Sequence, residues 1–103
     1  MMESEQCEFK GGMRQGLKNA TWPDAVIRAD HEVLTIRTDG GLMPDIRLDR
    51  GEVTRIRSVR GLFSRGLKFE TTDGQTDKLT YWTAPLRHRV VRDALRERGW
   101  PVT

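Results

Sequence analysis

Residues 79–101 read LTYWTAPLRHRVVRDALRERGWP, and the change of period inside this stretch decides the fold. Leu79, Tyr81 and Thr83 alternate with Thr80 and Trp82, which is the pattern of a half-buried strand. Leu86, Val90, Val91, Ala94 and Leu95 then share one helical face, and Arg87, Arg89, Arg92, Asp93, Arg96 and Glu97 take the rest. Thr83 is a candidate cap and Pro85 suits a first helical turn. Gly99 can end the helix in a left-handed conformation, with Trp100 as hydrophobic lock and Pro101 barring continuation. A helix near residues 85–98 is expected, entered directly from a strand.

Outward from this junction the signals are short strands. Leu67, Phe69 and Thr71 alternate with Lys68, Glu70 and Thr72, and Asp73-Gly74 is a hairpin turn. Val53, Ile56 and Val59 are spaced by three, so residues 53–60 need a bulge to keep them on one face. Asp45–Leu48 and Val33–Thr38 follow upstream, the latter bounded by Asp39-Gly40-Gly41 and by Asp30-His31. Ala25–Ala29 and Leu17–Trp22 complete a set of seven, with Pro23 read as the end of the earlier one. Residues 1–15 read as a weakly ordered N-terminal tail, punctuated by Gly11-Gly12, and residues 16–103 as the domain. Leu17–Trp22 is the expected unguarded edge through which copies could pair.

The chain of 103 residues supports one small core, since the apolar set is 36%. Charged residues reach 32% but are mixed in sign, and a net charge of +3 does not suit a disordered chain. No apolar run approaches the roughly 18 residues of a membrane span, and no signal peptide opens the chain. Cys7 is alone, which excludes an internal disulfide and suggests a reducing, cytoplasmic setting. Its acidic neighbours Glu3, Glu5 and Glu8 argue against a reactive thiolate. One cysteine with only His31 and His88 does not make a zinc site. Ser58 and Ser64 have no histidine close in sequence, and no glycine loop opens a helix. No catalytic residue, metal or cofactor is therefore expected.

Short strands at regular spacing, closed by one amphipathic helix, resemble the pleckstrin-homology (PH) superfold. The likeness rests on Trp22-Pro23, Val33–Thr38, Arg50-Gly51-Glu52-Val53, Leu67-Lys68-Phe69 before Asp73-Gly74, and Tyr81-Trp82-Thr83 running into the helix. It is closest in layout to small stand-alone bacterial PH-like proteins of uncharacterised function. The resemblance implies a mainly-β chain: a half-open antiparallel barrel of about seven strands, with the helix plugging one end. In phosphoinositide-binding members basic residues surround the first hairpin loop. Here that loop is expected at Asp30-His31-Glu32, which is acidic, so phosphate capture there is not implied.

The basic residues are concentrated instead between 47 and 68, where seven Lys and Arg face only Asp49 and Glu52. The candidate surface for an anionic partner is Arg55, Arg57, Arg60, Phe63, Arg65 and Lys68, a hairpin with an apolar tip between arginines. Three readings are open. The hairpin is a solvated face with Phe63 folded onto the barrel rim, an anionic-membrane contact, or a nucleic-acid contact, for which the aromatic platforms are few. The expected function is a non-catalytic binding module for a protein partner, a second copy included, or for the inner face of an anionic membrane. An accessory domain or subunit of an enzyme complex is the alternative.

Overall fold

The computed structural model describes residues 6–16, 18–38, 44–61, 64–72, 79–84 and 86–103. The elements are β1 (Cys7–Gln15), β2 (Lys18–Ala29), β3 (Val33–Thr38), β4 (Ile46–Asp49), β5 (Val53–Arg60), β6 (Arg65–Thr71), β7 (Leu79–Thr83) and α1 (His88–Glu97). The seven strands form one antiparallel sheet in the order β4-β3-β2-β1-β7-β6-β5. It curls into a half-barrel closed by α1, an architecture compatible with a PH-like fold. The expected turns at Asp39–Gly41 and Asp73-Gly74, the tip residues Leu62 and Phe63, and Pro85 lie outside the described residues.

The largest departure from the sequence reading is β1. Residues expected in a tail form the central strand, paired to β2 from Cys7↔Ala29 to Gln15↔Lys18 and to β7 from Gly11↔Thr83 to Gln15↔Leu79. Gly11-Gly12 lies within this strand and is not a break before the fold. A methyl group on Gly11 would collide with the Trp82 carbonyl oxygen and stand 2.6 Å from Tyr81 Cζ. One on Gly12 would stand 2.8 Å from the Ala20 carbonyl oxygen. Glycine is needed here because two backbones and an aromatic ring close on the strand at a barrel corner.

The β2 pairing shifts at the same corner, from Gly11↔Ala25 to Met13↔Ala20. Thr21, Trp22 and Pro23 bulge outward there and are exposed. Proline is tolerated because a bulge demands no ladder hydrogen bond, so Pro23 does not end a strand. The expected strands at 17–22 and 25–29 are thus one strand, and β1 restores the total to seven. Two consequences follow for the earlier reading. The first hairpin turn is at Gly16, with φ +62°, and Asp30–Glu32 connects β2 to β3. β2 is paired on both sides over Ala25–Ala29, while residues 18–20 pair with β1 alone among the described residues, so the first half of β2 keeps one open side where an unguarded edge was expected.

The bulge expected in β5 is present, between Val53 and Arg55, but the register is regular beyond it, so Val59 lies on the opposite face from Ile56. The bulge brings Val53 and Ile56 into the core with Phe69, Leu67, Tyr81, Leu79, Met13, Ile27, Leu34 and Ile36. The edge of β5 is covered by the C-terminus. Ile56 N–H donates to the Pro101 carbonyl at 2.9 Å, and Thr103 N–H donates to the Ile56 carbonyl at 2.9 Å.

Helix α1 ends as the sequence indicates. Gly99 has φ +86°, its N–H donates to the Arg96 carbonyl, and Trp100 N–H donates to the Leu95 carbonyl. These two bonds satisfy carbonyls that the last helical turn leaves open. Trp100 is buried, and its Nε1–H donates to the Asp30 carbonyl at 2.7 Å, tying the helix end to the β2–β3 connection. The start differs from expectation. Arg87 stands at the cap position without a side-chain cap bond, and Thr83 is the last residue of β7. Of the expected stripe Val91 and Leu95 are buried, while Leu86 and Val90 are exposed and His88 is buried instead.

Gly11→Ala should destabilise the protein by about 2–3 kcal/mol or more, since neither the Trp82 carbonyl nor the Tyr81 ring can retreat cheaply. Gly51→Ala, where an added methyl meets nothing within 4 Å, should stay within about 0.5 kcal/mol. Leu95→Ala should cost about 2–5 kcal/mol through the cavity it leaves. Urea denaturation of the three variants checks all of these. A Gly11→Ala midpoint equal to that of the parent would refute the corner.

Candidate functional site at the β5–β6 and helix-start end

Strand register divides the basic residues expected to act together. Arg57 is opposite Lys68, which is opposite Thr80, so Arg57 and Lys68 share the outer face with Arg55. Glu70 neutralises part of that face: it is Arg55's direct cross-strand partner, and its Oε2 lies 2.9 Å from Arg57 Nε. Arg60 is opposite Arg65, two residues along from the Ser58↔Leu67 pair, so both lie on the other face, at the barrel mouth. Both are exposed, and neither has an acidic partner among the described residues. Like charges placed directly opposite on a sheet are destabilising. Further basic side chains are spent elsewhere: Arg47 Nε lies 3.3 Å from Asp49 Oδ1, and Arg50 stacks over the Trp100 ring. Phe63, the expected apolar tip, lies outside the described residues.

The apolar partner at this end comes from the helix start. Leu86 is fully exposed and holds φ +65°, and Val90, one turn on, is 44% exposed. A β-carbon makes the left-handed region costly, by about 1–2 kcal/mol. The sequence placed Leu86 and Val90 on the buried stripe; the helix is turned by the burial of His88 instead.

His88 is the residue that sequence reasoning missed. Its Nε2 lies 3.0 Å from Ser58 Oγ, and its Nδ1 lies 3.4 Å from Thr83 Oγ1. Thr83 Oγ1 in turn donates to the Arg65 carbonyl at 3.0 Å. The imidazole thus bridges the last residue of β7 and the middle of β5. Burial, reinforced by the Arg65 and Arg92 charges, holds its pKa below the ordinary histidine value. Ser58 and His88 are 30 residues apart, so no local motif announces them. The available signal was a serine between basic residues on a strand and a histidine opening a helix, which only the topology joins.

Other titratable groups are accounted for by packing. Cys7 is half-buried in β1, and burial is the main cause that pushes its thiol up, in place of the acidic neighbours invoked from sequence. Tyr81 is buried, its hydroxyl donates to the Phe9 carbonyl at 3.2 Å, and burial raises its pKa. Asp30 accepts from the Glu32 and Val33 N–H groups at 2.7 and 2.9 Å, which lowers its pKa and fixes the turn. Among the described residues no three His, Cys, Asp or Glu side chains gather to hold a metal.

The depressed pKa of His88 makes stability depend on pH. The fold disfavours the imidazolium, so the unfolded chain takes up protons first as pH falls below the ordinary value of 6.5. Stability is complete above that value, declines as pH drops through it, and levels off below the folded-state pKa. Urea midpoints measured from about pH 7 to about pH 5.5 should fall more steeply for the parent than for His88→Gln. Parallel slopes would show that the imidazole is not buried in its neutral form.

No family model matches the chain, and no curated protein matches it in sequence.

Proposed function

We propose that this PH-like chain is a binding module that docks on an anionic membrane surface through the end carrying Arg60, Arg65, Leu86 and Val90. The observation that supports this reading above all is the fully exposed Leu86 at the helix start, together with an Arg60–Arg65 cross-strand pair that has no acidic partner among the described residues. A lipid surface answers both features at once. Anionic headgroups compensate opposed guanidinium groups, and the acyl boundary takes up Leu86 and Val90. Arginine suits the role because its charge persists at every accessible pH.

The magnitudes favour reversible attachment. Each cation near an anionic leaflet contributes about 1 kcal/mol. Full burial of Leu86 adds about 1.5–3 kcal/mol, and Val90 adds less because part of it is already covered. No helix among the described residues is long and apolar enough to cross a membrane.

Co-sedimentation with neutral and anionic vesicles tests it. Binding should require the anionic lipid and weaken with salt, because ions screen exposed charges beyond about 8 Å at physiological strength. Arg60→Glu with Arg65→Glu should abolish it. Leu86→Ser should weaken it by roughly tenfold or more while keeping the salt dependence. Arg55→Glu, on the face that Glu70 partly neutralises, should have the smaller effect. Equal sedimentation with both vesicle types, or no change in the double reversal, would leave a protein partner as the better reading.

A further inference from the structure

The contact between Ser58 and His88 has the arrangement of a nucleophile and its base. We propose that Ser58 is a nucleophilic hydroxyl, activated by His88, which accepts an acyl group from an activated carboxylic ester carrying negative charge near its carbonyl. The inference goes beyond membrane docking and does not rest on it, although both use Arg60 and Arg65.

The hydrogen-bond chain sets the direction of proton flow. Thr83 Oγ1 spends its single proton on the Arg65 carbonyl, so toward the imidazole it can only accept. Nδ1 at 3.4 Å therefore carries the ring proton, and the lone pair of Nε2 faces Ser58 Oγ at 3.0 Å. Ser58 donates to it. A histidine in this tautomer is placed to take the serine proton as the oxygen attacks. Burial together with the Arg65 and Arg92 charges keeps the ring neutral, and so available as a base, near neutral pH.

Access and charge complete the site. Ser58 is exposed while His88, to which its hydroxyl is bonded, is buried. Arg60 lies two residues along the same face of β5, and Arg65 is its direct cross-strand partner. These guanidinium groups would hold an anionic ester and favour the negative charge that develops on its carbonyl oxygen. The opposed pair, costly to the fold alone, is compensated by such a ligand.

In the reaction Ser58 Oγ bonds to the carbonyl carbon and its proton passes to Nε2. The bond from that carbon to the leaving oxygen then breaks, and the leaving oxygen takes the proton back from Nε2. The products are an acylated Ser58, the free alcohol and a neutral His88. Thr83 is a positioning residue, and as a neutral partner it supports the imidazolium less than a carboxylate would. The expected chemistry is therefore slow and close to stoichiometric.

The test uses the full chain without lipid, so its outcome is separate from that of docking. Mono-4-nitrophenyl glutarate and 4-nitrophenyl acetate are the probes, read by nitrophenolate release, intact mass and peptide mapping. One acyl group should appear on Ser58, faster from the glutarate ester than from the acetate at low salt. Ser58→Ala should abolish it, and His88→Gln should slow it by roughly a hundredfold or more. Arg60→Gln with Arg65→Gln should bring the glutarate rate down to the acetate rate. Thr83→Val should displace the pH profile of acylation, which a merely structural hydroxyl would not do. Should His88→Gln fail to fold, Ser58→Ala, which trims one exposed hydroxyl, still decides the site of labelling. Adducts on lysines with Ser58 unmodified would overturn the proposal and leave the Ser58–His88 bond as an anchor of the helix start. Labelling of Ser58 that persists at full rate in a folded His88→Gln would overturn it too, and equal rates for the two esters would overturn the charge requirement.

Discussion

The half-barrel depends on the close approach of its neighbours to Gly11 and Gly12 in β1. This single strand pairs with β2 on one side and, from Gly11 onward, with β7 on the other, so it joins the two parts of the sheet. Gly11 and Gly12 admit those neighbours by omission. Where Gly11 has no side chain, the Tyr81 ring and the Trp82 carbonyl come in. The Tyr81 hydroxyl then reaches back across β1 to the Phe9 carbonyl, so the aromatic that fills the corner also pins it. Leu79, Tyr81, Met13 and Ala20 form a core because this corner closes. The seat of α1 follows from the same closure, since the helix packs on β1 and β6 at the mouth of the half-barrel.

The sequence disclosed those parts of the fold whose signals are local. The Gly99-Trp100-Pro101 ending, the β5 bulge and the alternation of β3, β6 and β7 each reside in a few neighbouring residues, and the structure has them as read. β1 was illegible for a physical reason. Its stretch CEFKGGMRQ holds two glycines and no β-branched residue, so propensity opposes a strand, and pairing with β2 and β7 overrides it. The helix face was legible in part. Val91 and Leu95 are buried as their spacing indicates, while Leu86 and Val90 are exposed and His88 is buried in their stead. The candidate site was legible in composition and not in arrangement. Alternation separates Arg55 and Arg57 from Arg60, while the partner of Ser58 lies across a chain reversal that sequence spacing cannot measure.

The two ends of the helix show opposite habits. At its C-terminal end each local requirement is met. The last carbonyls are capped, the Trp100 indole N–H has an acceptor, Arg50 lies over the indole, and residues 101–103 cover the edge of β5. An open sheet edge is a hazard that proteins suppress, and here the chain's own end suppresses it. Such an end is built for persistence. It holds the barrel in one shape while bearing no free apolar surface of its own among the described residues.

The N-terminal end breaks the same rules one after another. Leu86 is left-handed and in water, the helix start has no side-chain cap, two arginines oppose each other across β5 and β6, and a buried histidine sits between hydroxyls. Each departure costs of order 1 kcal/mol, and together they are a sizeable share of what a domain of this size has to spare. The exposed Trp22 at the β2 bulge stands apart from this group, but the other departures meet where the helix starts. In the function proposed, the charge of that end answers negative groups and its exposed leucine answers an apolar layer; in the inference drawn from the Ser58–His88 contact, the same end carries the reacting hydroxyl.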